Sequence, residues 1–121
     1  MVEFTIYGEL PDLNYIVNAA KKHWANYAKL KADYGDVVTY SALSQGVPIQ
    51  DDRVLVSITW YCPNRLKDPD NVSFGIKFVL DGLVAAGVLE NDGWKQIGGI
   101  CHTFRIDKDR PRVQVQLQKF G

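Results

Sequence analysis

Residues Arg53–Gly87 read RVLVSITWYCPNRLKDPDNVSFGIKFVLDGLVAAG, and within them an apolar period of two gives way to a period near 3.6. Val54, Val56, Ile58, Trp60 and Cys62 fall on one side of an extended chain, with Arg53, Ser57 and Thr59 on the other, which predicts a strand with one buried face. Pro63 cannot donate to a ladder and ends it. After the polar loop NRLKDPDN, the spacing predicts a helix over Asn71–Ala86, with Gly87 as its C′ residue. On a wheel of 100° per residue, Val72, Ile76, Val79, Leu80 and Leu83 share the core face. Lys77 and Asp81, four apart and able to touch, lie opposite, together with Asp70. Phe74 and Phe78 project to the same outward side, where they are expected to fill a dimer interface or stack near DNA bases, or else to be covered by another stretch of the same chain.

Toward the N-terminus, Val2, Phe4 and Ile6 alternate with Glu3, Thr5 and Tyr7 as a half-buried strand, followed by a turn over Gly8–Asp12. Leu13 to about Leu43 is helical in pattern. That length predicts a break near His23 or at Gly35–Asp36, with Gly46 and Pro48 closing the segment. Toward the C-terminus, Lys95–Ile106 reads as a strand and Asp107–Pro111 as a turn. Val113, Val115 and Leu117 mark a last strand, expected to form a hairpin with its predecessor. The order β-α-β-α-β-β predicts a single α+β domain over residues 1–121, with a mixed sheet and helices on one face.

A chain of 121 residues with 46% apolar side chains can bury a core without staples. No stretch approaches the ~20 apolar residues of a membrane span. The opening MVEFTIYGEL carries acid where a secretory signal carries base, so a cytoplasmic protein with no membrane partner is expected. Cys62 and Cys101 stand outside any zinc-ligand spacing and read as reduced thiols. Formal net charge is zero, which argues against broad nucleic-acid affinity. Yet Leu13–Ala32 holds Lys21, Lys22, Lys29 and Lys31 with no acid, either a local basic face or a solvated helix surface. His102 falls on the apolar side of its strand and reads as a packed histidine. His23 lies among the lysines. No nucleotide-loop, nucleophile-elbow or zinc-protease motif is present, so no small-molecule cofactor is expected.

Acids crowd one unit: Asp68, Asp70, Asp81, Glu90 and Asp92. An Asp before a helix is commonly its N-cap, but Asp68 and Asp70 followed by Asn71 exceed what a cap needs, and like charges this close favour a cation. A hard divalent ion takes one or two carboxylates, waters and a substrate phosphate. Held by Asp70, Asp92 and phosphate it would activate water, with Lys77 neutralising the phosphate or leaving oxygen. A calcium-loop reading of DPDN fails, because Ser73 stands at its sixth position and Val79 at its twelfth.

The segment Lys67–Asp92 resembles the signature of RusA-type Holliday junction resolvases. The matching residues are Asp68-Pro69-Asp70-Asn71, Lys77 four residues before Asp81-Gly82-Leu83, the Gly87 turn, and Asn91-Asp92. Pro11 and Asn14 resemble that family's Pro-x-x-Asn stretch, and Lys29 and Lys31 its basic first helix. The resemblance implies an α+β homodimer of bacterial, phage or prophage type that cuts four-way DNA junctions with Mg²⁺, or Mn²⁺. Its catalytic and metal residues would be Asp68, Asp70 and Asp92, with Lys77 as the catalytic cation. Asn71 and Asp81 would support them, and Lys29, Lys31, Arg65, Lys67 and Lys95 would meet DNA. The chain departs from the pattern twice. The step from Asp70 to Lys77 is longer by about one helical turn, and Asn91 replaces the first acid of the closing pair, leaving Asp92, with Glu90 as a substitute. A binding module of the same fold with weakened catalysis is the alternative. A protein outside nucleic-acid metabolism, its aspartates serving as caps and surface ion pairs, is a third reading.

Overall fold

The computed structural model describes residues 1–121. It contains β1 (Val2–Tyr7), α1 (Leu13–Lys22), α2 (Trp24–Ser44), β2 (Val54–Cys62), α3 (Pro69–Ser73), α4 (Ile76–Ala85), β3 (Ile97–Ile106) and β4 (Arg112–Lys119). The architecture is α+β, as expected. Four strands form one mixed sheet in the order β1-β4-β2-β3. β4 runs antiparallel to both β1 and β2, while β3 runs parallel to β2.

The alternating residues of three strands pack the core. Phe4 and Ile6 of β1, Val54, Val56, Ile58 and Trp60 of β2, and Val113, Val115 and Leu117 of β4 are all buried. They meet Val38 and Ala42 of α2 and Phe78, Val79 and Leu83 of α4. The other face stays polar: the amides of Gln114 and Gln116 both reach the Glu3 carboxylate, and the Thr5 hydroxyl donates to Gln114 at 2.8 Å. No helix is long and apolar enough to cross a membrane.

Several expectations gain a mechanism. The long helical stretch breaks at His23, whose extended backbone (φ −165°, ψ 128°) ends α1 and whose Nδ1 caps α2 by accepting from the Ala25 N–H at 3.1 Å. Gly87 takes a left-handed φ of +75° just past α4. Gly82 lets α4 close on α2, because a Cβ there would lie 2.4 Å from Val38 Cγ1. Thr39 bridges the same contact, its hydroxyl donating to the Gly35 and Gly82 carbonyls at 2.8 and 3.3 Å.

Three expectations are corrected. First, β3 and β4 form no hairpin. The chain leaves β3, crosses the end of β2 and enters the sheet on its far side. The Asp107 carboxylate turns the chain there, accepting from the backbone N–H groups of Asp109 and Arg110 and from Arg112 Nη1. Arg112 then lies over the Tyr61 ring, 3.7 Å from its centre, at the crossing point. Arg112 holds the Asp107 carboxyl below the usual carboxylate range. Second, Phe78 does not face outward. It is buried, edge-on to Tyr34 of α2 at 5.9 Å, and Phe74 packs partly against the same core. The chain's own α2 covers the face that a partner was expected to cover. Third, the single helix over Asn71–Ala86 is two: α3 stops at Ser73 and α4 starts at Ile76, so the wheel drawn through Phe74 and Gly75 did not apply.

Candidate functional site

The predicted site residues fall at two places. The first is a cleft of about 590 Å³ at the carboxyl ends of the parallel pair β2 and β3, lined by Arg65, Lys67, Asp68, Arg105 and Asp107 around Cys62, Val72 and Phe104. The carboxyl end of a parallel pair is where ligands bind in open α/β sheets, because connecting loops diverge there. Asn64 shapes the loop, its side-chain oxygen accepting from the Leu66 N–H at 3.0 Å.

Asp68 occupies the N-cap position of α3, with Pro69 at N1, yet its carboxylate makes no cap hydrogen bond. The cap is completed by its backbone carbonyl, which accepts from Asn71 and Val72 at 3.0 and 3.1 Å. The capping explanation therefore does not consume the Asp68 side chain. Asp70 accepts from the Asn71 N–H at 3.0 Å and is exposed beside it. Neither carboxylate has a cation partner, and neither Arg65 nor Arg105 has an acidic one. Lys67 leans to the buried Asp12 at 3.9 Å. Asp12 is the true side-chain cap of α1, accepting from the Tyr15 N–H at 2.9 Å. The Cys62 thiol at the cleft floor has its pKa raised by burial, then by Glu9.

The second place is a cleft of about 780 Å³ between α2, α4 and the Asn91–Asp92 turn, lined by Trp24, Tyr27, Lys31, Asp36, Asp81 and Asp92 among others. Asp81 is the hub here. Lys77 reaches its Oδ1 at 3.3 Å, and Lys31 its Oδ2 at 3.8 Å. Asp81 Oδ2 is screened from solvent and accepts no hydrogen bond. Lys77 and Lys31, assigned to phosphate, thus neutralise Asp81. Lys29 pairs with Asp33 at 3.1 Å, while Lys95 lies in the turn with Glu90 and Trp94.

Asp68 and Asp92 therefore line different clefts, and no group of three His, Cys, Asp or Glu side chains converges within one chain. The donor set of a single chain does not fit a three-carboxylate ion site. Arg105 was missed from the sequence. Its sole signal was its place near the carboxyl end of a predicted strand, and that end became informative only once β3 was known to run parallel to β2. Comparison with protein-family models and with curated proteins finds no match to this chain.

Proposed function

We propose that this protein is a homodimeric, metal-dependent endonuclease of the RusA type that nicks four-way DNA junctions in the bacterial cytoplasm. One observation carries the reading. At the carboxyl end of the parallel strands, Asp68, freed from capping and without a cation partner, shares a cleft with the unpaired guanidinium groups of Arg65 and Arg105. Unpaired arginines suit phosphate oxygens, which they grip bidentately. A carboxylate beside them is unfavourable for simple phosphate binding and is suited to chemistry on the phosphate. Junction selectivity would come from backbone position and shape, since phosphate contacts fix orientation without reading sequence. Asp68 and Asp70 would be the carboxylates that meet Mg²⁺ or Mn²⁺, although one chain does not bring Asp92 to them.

The test is cleavage of a synthetic four-way junction in Mg²⁺ or Mn²⁺. Asp70→Asn is expected to lower nicking by on the order of a hundredfold or more, the scale on which losing one group that meets developing charge slows an enzyme. Junction binding should persist or tighten, because the variant removes negative charge near phosphate. Normal cutting by Asp70→Asn would sink the assignment. The pairing of Lys31 and Lys77 with Asp81 favours the second reading, a junction-binding module with weakened catalysis. Salt-sensitive binding without cleavage in either metal selects it.

A further inference from the structure

The helices cover one face of the sheet and leave the other open. The open face carries the odd-numbered residues of β1 and β2, those of β3 from Cys101 onward, and the even-numbered residues of β4, and none of them is buried. Strand pairing sets these residues in rows. The row at one end of the sheet is Tyr7 of β1, Arg112 of β4, Tyr61 of β2 and Arg105 of β3. Ring and guanidinium alternate across all four strands, about 4.8 Å apart. The next row is Thr5, Gln114, Thr59 and Thr103, hydroxyls and an amide with no aliphatic side chain among them.

The middle of the first row is engaged and its ends are free. Arg112 lies on the Tyr61 ring and pairs with Asp107, which fixes both side chains. Tyr7 is 76% exposed, Arg105 is exposed as well, and neither side chain makes a hydrogen bond or an ion pair. The turn after β3 adds Lys108 and Arg110, also without ion-pair partners, and Glu9 and Asp109 are the acids left to oppose them. In a chain of zero net charge, this end of the open face is positive.

We propose that the open face binds a single strand of nucleic acid across this row, with bases stacked on Tyr7 and on the Arg112–Tyr61 pair and phosphates held by Arg105 and the Lys108–Arg110 turn. Three features select that occupant. A single strand alternates flat bases with phosphates, as the row alternates flat rings with cations, and stacking on rings and guanidinium planes needs no particular base. A duplex keeps its base faces covered, so only an unpaired strand can use the rings. A protein partner would call for an apolar centre, and below the row the face offers hydroxyls and amides, which suit base edges and phosphate oxygens. The row spans the sheet from Tyr7 at one edge to Arg105 at the other, and Arg105 also lines the Asp68 cleft. A strand bound along it would therefore end at that cleft. This last statement rests on the nuclease reading; the platform does not.

The test is fluorescence anisotropy of labelled oligothymidylate and oligouridylate, titrated with the full chain in EDTA at low salt. Wild type should bind with a dissociation constant on the order of 10⁻⁴ to 10⁻⁶ M, the range of contacts that read no sequence. Tyr7→Ala should weaken binding about tenfold, the scale of one base–ring stack. Tyr7→Phe should keep it, because the ring and not the hydroxyl makes the stack. Tyr40→Ala removes a tyrosine 73% exposed on α2 and should change nothing. Arg105→Ala should flatten the slope of log affinity against log salt by about 0.7, one phosphate contact on a single strand. A loss of folded protein would lower apparent affinity and leave that slope alone. Tyr7-dependent binding of either oligonucleotide supports the proposal, and the preferred one names the source of the strand. Binding of neither overturns it, as does an equal effect of Tyr7→Ala and Tyr40→Ala, or an unchanged slope in Arg105→Ala. Wild type that holds single strands through Tyr7 yet cuts no junction in either metal sinks the nuclease reading and leaves the platform standing. Wild type that cuts junctions and ignores single strands overturns the platform alone.

Discussion

The two edges of the sheet obey opposite rules. β1 is short, its Phe4 and Ile6 are roofed by helices, and its outer edge is occupied: the Gln45 side chain accepts from the Thr5 N–H at 2.9 Å and donates to the Thr5 carbonyl at 2.6 Å. β3 is longer, its apolar residues are uncovered, and no side chain takes up its outward backbone groups. One edge ends the fold and the other leaves it able to continue. Edge strands are a liability unless blocked or used, and this chain blocks only one.

The sharpest way to break that contrast is a matched pair of phenylalanines. Phe4→Ala removes a buried ring and should cost about 3–5 kcal/mol, measured by denaturant unfolding. Phe104→Ala at the open edge should cost less, about 1–2 kcal/mol in dilute protein, because that ring is already 39% exposed and has less burial to lose. It should instead weaken self-association in sedimentation. Similar unfolding costs for the two would mean that β3 is covered within the chain.

A smaller effect tests the blocked edge. Gln45→Ala deletes both hydrogen bonds to Thr5, which should cost about 1 kcal/mol for an exposed pair and open a second edge. The variant should self-associate more than the wild type at equal concentration. Unchanged association would show that the twist and shortness of β1, not Gln45, protect it.

Much of this contrast was legible from residue order alone, and the part that was not has a clear cause. The alternation in β1, β2 and β4, the break at His23 and the Lys77–Asp81 pair are local, and local periodicity reports them. Topology is not local. Asp107–Pro111 has the composition of a hairpin turn, but Arg112 on Tyr61 and the Asp107 carboxylate carry the chain across β2 instead. β4, with its strict Val113-Val115-Leu117 alternation, suits a central place better than β3, which carries Gly98, Gly99 and Arg105. Once β3 moves to the edge, its carboxyl end joins that of β2, and Arg105 enters the Asp68 cleft. The acids were visible as residues. Which of them share a cleft depended on the strand order, and Phe78 is buried because α2 covers the side of α4 that carries it.

The smallest expected effect also sits on β3. His102 stacks between Trp60 and Phe104, at 6.0 and 6.3 Å, and its Nδ1 accepts the Trp60 indole N–H at 2.9 Å. That bond requires an unprotonated Nδ1, and partial burial lowers the His102 pKa from its ordinary value near 6.5. A histidine whose folded pKa is depressed binds fewer protons than its unfolded form, so stability rises with pH in that window. The contribution is whole above about pH 6.5 and is lost as pH falls through the folded value. His102→Phe keeps an aromatic ring in the stack and deletes the titration. The difference in stability between wild type and variant should therefore move in favour of the variant as pH drops from 7 to 5. A constant difference would mean that the ring swings out to water on protonation without cost, and that the Trp60 bond does not hold the edge strand to its neighbour.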